Sequence, residues 1–165
     1  MQPTAFKIDD ETGHYRVEQA VSDKDILRMA NHLTRQGLKK GAALTSPDKT
    51  YSFLQHKLQG LEHEVFGVIF LNQQNQILKF EKMFRGSINT AAVYPREIAK
   101  RCLALNAISV ILVHNHPSGS LTPSNADIEL TKQIKRTLEL LEVRTLDHLI
   151  VSTEGYTSLA KSGLI

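Results

Sequence analysis

The 165-residue chain has no tryptophan, a single cysteine and only 6% aromatic residues, and each shortage removes a class of function. With Cys102 alone there is no intramolecular disulfide and no Cys-x-x-Cys zinc or redox pair, a usage that fits a reducing compartment. Lys and Arg number 20 against 17 Asp and Glu, a net charge of +3. No basic run exceeds Lys39-Lys40 or Lys135-Arg136, so the clustered footprint of a nucleic-acid binder is missing. No apolar run approaches the roughly 18 residues of a membrane helix. The opening stretch MQPTAFKIDDETGHYR carries Asp9, Asp10 and Glu11 and no apolar core, so it does not read as a secretory signal, and a cytoplasmic location is expected. The glycine-rich dinucleotide fingerprint, the phosphate-binding loop and the serine nucleophile elbow are absent, which argues against dinucleotide, NTP and Ser-hydrolase chemistry.

What is present suffices for a core: 41% apolar against 22% charged residues is ordinary for a globular domain. Residues 1 to about 20 are polar and aperiodic, an arm or a short edge hairpin. Ser22 can cap a helix in which Ile26, Met29, Ala30, Leu33 and Leu38 recur near a 3.6-residue period, ending near Gly37 or Gly41. Ser46, with Pro47 at the first helical position, opens a second helix carrying Tyr51, Leu54 and Leu58 on one face and stopping at Gly60. These segments predict an N-terminal helical arm, with a domain division near residues 45 and 46. EVFGVIFLN (64–72), the turn NQQNQ and the alternating ILKFEKMF (77–84) then predict a hairpin with one strand more buried than the other. RGSINTAAVY reads as a loop with a short strand. Pro95 opens a helix with Ile98, Cys102 and Leu105 inward. ISVILV (108–113) is typical of a strand covered on both faces. A helix from Ser124 follows with Ile128, Leu130 or Thr131, Ile134, Leu138 and Leu141 inside, and DHLIVSTEGYTSL closes the chain as a strand pair turning at Glu154-Gly155. The expected class is α/β (α+β), a mixed sheet flanked by helices.

The chemistry concentrates in HNHPSGSLTPSNAD (114–127). If the strand continues through His116, side chains at i and i+2 share a face, and His114 and His116 stand side by side. Asp127, in the first turn of the following helix, is brought back by a loop containing Pro117, Gly119 and Pro123. Two nitrogens and one carboxylate suit zinc and leave a fourth position for water, the pattern of a catalytic rather than a structural site. Zinc would bring its water's pKa to about 7, and a nearby carboxylate could shuttle the proton. The plain alternatives are a chance His-x-His pair at a strand end and a capping box, Ser124-x-x-Asp127, with no chemistry. The ordered combination of strand, His-x-His, Pro/Gly loop and Ser-x-x-Asp favours the site, and a capping box leaves one carboxylate oxygen for a metal.

His114, His116, Ser124 and Asp127 reproduce the JAMM (MPN+) metalloprotease signature His-x-His-x7-Ser-x2-Asp. With RGS, YPRE and LDHLIV around it, the stretch from about residue 50 to 165 resembles the bacterial RadC family. The resemblance implies a JAB/MPN core, a cytidine-deaminase-like sheet, and zinc held by His114, His116 and Asp127. By position it implies Glu64 as the carboxylate that takes a proton from the attacking water and returns it to a leaving amine, with Glu62 as its competitor two residues earlier. Ser124 would donate a hydrogen bond to the tetrahedral oxyanion. The implied function is a metallopeptidase or isopeptidase acting on a protein or peptide substrate. This chain departs from the ubiquitin-cleaving members in carrying Asn115 where they have Ser or Thr, and their substrate-gripping insertions are not evident.

Two other functions compete with this one. The resemblance also implies a DNA-repair-associated or nucleic-acid-binding factor, for which the charge pattern offers little; a separate reading keeps the metal site as structure only, within a partner-binding scaffold. A zinc deaminase is disfavoured by the missing Pro-Cys-x-x-Cys ligands. Cys102 reads as a small core residue. His148 reads as a supporting residue rather than a fourth ligand, and the role of Asp147 is open. His14, His32, His56 and His63 have polar surroundings, and Arg85 and Arg96 read as surface ion-pairing groups.

Overall fold

The structure, a computed structural model, describes residues 5–9, 12, 14–17, 19–37, 43–44, 46–58, 61–86 and 93–165. The chain divides into two compact units, Met1–Lys39 and Lys40–Ile165. In the first, β1 (Phe6–Ile8) and β2 (Tyr15–Val17) pair antiparallel as a hairpin. Helix α1 (Asp23–Gly37) follows, its start capped by Ser22, which exchanges hydrogen bonds with Asp25. Met29 is buried on it and Ile26 is half exposed. The side chain of Leu33, and Leu38, Gly41 and Gly60 altogether, lie outside the described residues, as does most of RGSINTAAVY.

The second unit holds α2 (Pro47–Leu58), β3 (Val65–Leu71), β4 (Ile77–Arg85), α3 (Pro95–Leu105), β5 (Ser109–Asn115), α4 (Asn125–Glu139), β6 (Arg144–Ser152) and β7 (Gly155–Ser158). The division falls six residues before the one expected from sequence, and α2 packs on β6 as part of this unit. The five strands run in the order β4-β3-β5-β6-β7. Only β5 and β6 pair parallel, because α4 carries the chain back between them, and every other neighbour is antiparallel. The mixed α+β architecture expected from the pattern is thus present, and the two central strands β3 and β5 are buried along their whole length. That burial explains their unbroken apolar runs. Phe66, Val68, Phe70, Val110 and Leu112 meet Ile98 and Cys102 of α3 and Ile134 and Leu138 of α4 in one core. On α4 the polar Thr131 is buried along with Asp127, Leu130 is only partly covered, and Leu141, past the end of the helix, is exposed. On β3, Gly67 permits a close strand crossing: a Cβ there would lie 2.8 Å from the Phe80 ring, beside a break in the β3–β4 register.

Candidate metal centre

The site forms where β5 ends. His114 is the sixth residue of that strand, fixed by pairing with Phe66 of β3 and Ile150 of β6, and it is 2% exposed. His116 follows one residue past the strand, its N–H donating to the Val151 carbonyl at 2.9 Å. Their Nε2 atoms approach to 2.7 Å, so the i, i+2 parity puts both rings on one face. Asp127 enters from the first turn of α4 and is buried, one carboxylate oxygen lying 3.4 Å from His114 Nε2. Burial pushes the His114 imidazole down to about 4, with Asp127 pulling it up and His116 reinforcing the fall. A neutral ring is the form that ligates.

The capping box and the ligand cluster coexist. Ser124 Oγ accepts the Asp127 N–H at 3.1 Å, and Asp127 Oδ2 accepts the Ser124 N–H and hydroxyl, both at 2.7 Å. One oxygen of the carboxylate is therefore committed to the helix start, and Oδ1 faces His114. His114, His116 and Asp127 each offer one ligand atom, all within 4.8 Å of one another. Two imidazole nitrogens and a carboxylate oxygen in a mostly buried pocket fit a divalent transition metal, so this group could hold one.

Glu64 immediately precedes β3 and is half-buried. Glu64 lies two residues before Phe66, whose pairing with His114 is the last of the β3–β5 ladder. Its carbonyl accepts the Gly86 N–H at 2.9 Å. Glu62 is exposed and lines a cleft of about 340 Å³ with His116, Asn115, Pro117, Leu58, Leu61 and Val151. Asn115 is turned out of the ligand cluster, its side chain bonding main chain on either side of Glu64.

Of the remaining candidates, Cys102 is fully buried, and burial pushes its thiol up to about 11, which suits a core residue and not a nucleophile. Arg96 lies over the Tyr94 ring at 5.3 Å and 3.5 Å from Glu97. Asp147 accepts from the His148 N–H (2.7 Å), the Ala160 N–H (3.1 Å) and the Ser158 hydroxyl (2.6 Å), fastening the last strand to β6. His148 is wholly buried, Nε2 2.9 Å from His114 Nδ1, with its pKa driven well below the usual histidine range by burial. Thr131, which helix periodicity leaves as an alternative to Leu130, contacts His148 from the other side. Only its place on the buried face of α4 signals it in sequence.

Fold and cluster together define a mixed-sheet domain with a candidate His-His-Asp metal centre. A family model described as the RadC-like JAB domain matches residues 44–164. A UPF0758 protein of Vibrio cholerae is 42% identical over 153 residues, which cover 93% of this chain and 97% of that protein. UPF0758 proteins of Ectopseudomonas mendocina and Polaromonas are 47% identical over 138 residues and 44% over 140, and the chain spans 62% of the length of each. The chain belongs to the RadC-like JAB domain family. Among the described residues no helix is long and apolar enough to cross a membrane.

Proposed function

We propose that the chain is a zinc-dependent hydrolase of amide or isopeptide bonds. The observation that carries this is the convergence of His114 Nε2, His116 Nε2 and an Asp127 oxygen at one strand end, within 4.8 Å of one another. Zinc, when bound, supplies Lewis acidity and makes hydroxide available near neutral pH. Glu64 is the general base, taking the proton of the attacking water and returning it to the leaving amine. Ser124 supports the oxyanion through its hydroxyl, which must first turn away from Asp127 Oδ2, to which it donates across an oxygen–oxygen distance of 2.7 Å. A protein or peptide suits the cleft beside His116, to whose lining Leu58, Leu61 and Val151 contribute apolar side chains.

Zinc analysis joined to a peptide and isopeptide cleavage screen tests this. The expected result is about one zinc per chain, as a single three-ligand site requires, lost in His116→Ala and in Asp127→Ala. Glu64→Gln should keep its zinc and lose hydrolysis by about 10²-fold or more, while Glu62→Gln stays near wild type. Zinc-loaded wild type that cleaves nothing, or Glu64→Gln that cleaves normally, would overturn the assignment.

A further inference from the structure

Thr131 and His148 are polar, lie outside the His-x-His-x7-Ser-x2-Asp pattern, and are each 0% exposed. They join two of the candidate ligands from behind. Thr131 Oγ1 lies 2.5 Å from the main-chain oxygen of Asp127 and 2.6 Å from His148 Nδ1. His148 Nε2 lies 2.9 Å from His114 Nδ1. Phe66 packs edge-on against His148, centroids 5.5 Å apart, and parallel to His114 at 6.5 Å, which fixes both ring planes.

The proton directions follow from what each group can do. A carbonyl only accepts, so the one hydroxyl proton of Thr131 goes to Asp127. Toward His148 the hydroxyl can then only accept, and the proton in that contact belongs to His148 Nδ1. A neutral imidazole carries one N–H, so His148 Nε2 is an acceptor and receives the Nδ1–H of His114. That leaves His114 Nε2 with a bare lone pair aimed at the cluster. His116 reaches the same state by another route: its Nδ1 faces the Ser120 carbonyl at 2.9 Å and must donate, so in the neutral ring its Nε2 is bare as well. Two bare nitrogens 2.7 Å apart repel unless a cation, a metal ion or an added proton, lies between them.

We propose that Thr131 and His148 are positioning residues, a hydrogen-bond relay from the main chain of Asp127 to the ring of His114 that sets the metal-ready tautomer before any metal arrives. The proposal rests on His114, His116 and Asp127 being ligands. Without the relay, His114 can hold its proton on Nε2 and block the site. Supporting partners of ligating histidines ordinarily contribute about 10- to 100-fold in metal affinity.

Three full-length variants separate the relay from packing. His148→Phe keeps the ring shape and removes the acceptor. Thr131→Val is nearly isosteric and removes the hydroxyl. His148→Gln can still accept from His114 and donate to Thr131. Zinc affinity is read by competition with a chromogenic chelator, and tautomers by imidazole ¹⁵N shifts of the metal-free protein. The relay requires a proton on His114 Nδ1 in metal-free wild type, about 10- to 100-fold weaker zinc binding in His148→Phe, weakening of the same sign in Thr131→Val, and recovery in His148→Gln. If His148→Phe fails to fold, Thr131→Val and the wild-type tautomer decide the matter. A proton on His114 Nε2 in metal-free wild type, or zinc held equally by wild type and all folded variants, would overturn the relay and leave the metal reading standing. Wild type that binds no zinc overturns the metal reading itself, and the relay's purpose with it.

Discussion

Asn115 lies between the two histidines, and its side chain serves the opposite side of the strand. Its Oδ1 accepts the Val65 N–H at 2.8 Å and its Nδ2 donates to the His63 carbonyl at 3.1 Å. One amide thereby grips the main chain on both sides of Glu64, where the β3–β5 ladder itself has stopped at Phe66 and His114. A carboxylate could make only the accepting half of that clamp. Asn115→Ala should cost about 1–3 kcal/mol, the penalty for leaving buried main-chain groups unpaired. It should also slow hydrolysis by up to about 10²-fold, the usual effect of a misplaced catalytic group, with zinc content unchanged. Urea unfolding, zinc analysis and kcat on the same preparation check this, and loss of zinc would mean that Asn115 supports the ligands instead of Glu64. Strand parity in the sequence already turns Asn115 away from the metal, yet what it grips is set by a neighbouring strand some 50 residues earlier. The same limit applies to Thr131 and His148: spacing identifies residues that share a face, whereas their hydrogen-bond partners come from packing.

At the scale of elements, α4 holds its own start and the site with the same two side chains. Ser124 satisfies the Asp127 N–H, and Asp127 returns the bond, so the carboxylate that faces His114 is oriented by the helix it begins. Ser124→Ala should therefore destabilise the protein by about 1 kcal/mol, the typical worth of such a cap, and loosen Asp127 enough to weaken zinc binding. Ser124→Thr, which can cap in the same way, should restore both. Thermal unfolding and chelator competition on the two variants test this, and unchanged zinc affinity in Ser124→Ala would confine the serine to catalysis. The elements themselves were legible wherever a local signal was strong: Pro47 and Pro95 at helix starts, Ser124 at its cap, the unbroken runs of β3 and β5 and the Gly155 turn all lie where periodicity and turn chemistry put them. The start of β6 was less legible. Arg144, Thr145 and Leu146 precede the Asp147 at which the sequence pattern begins, because the pairing of Arg144 with Ser109 and Thr145 with Val110 is long-range, Leu146 falls in a register shift, and so short a stretch shows no alternation.

At the scale of the molecule, the division at Lys39 and the family match beginning at residue 44 coincide to within a few residues. The two helices read as one arm from sequence part company there. Periodicity shows that α2 has an apolar face but cannot show what covers it. Leu54 and Leu58 are fully buried, and Tyr51 stacks on Tyr156 of β7 with ring centroids 4.8 Å apart. The Tyr156 hydroxyl also bonds Asp48, a contact that pushes its phenol up to about 12. Leu58 further lines the cleft beside His116, so α2 contributes to the site as well as to the core. A chain of residues 40–165 should accordingly fold cooperatively and bind zinc as tightly as the full chain, because every candidate ligand, the relay and the Asn115 clamp lie within it. Starting the chain at residue 61 instead removes α2, uncovers β6 and should abolish cooperative unfolding. Calorimetry and chelator competition on the two truncations decide the point: failure of the longer one would make the first unit part of the folding unit, and success of the shorter one would reduce α2 to an accessory wall of the cleft.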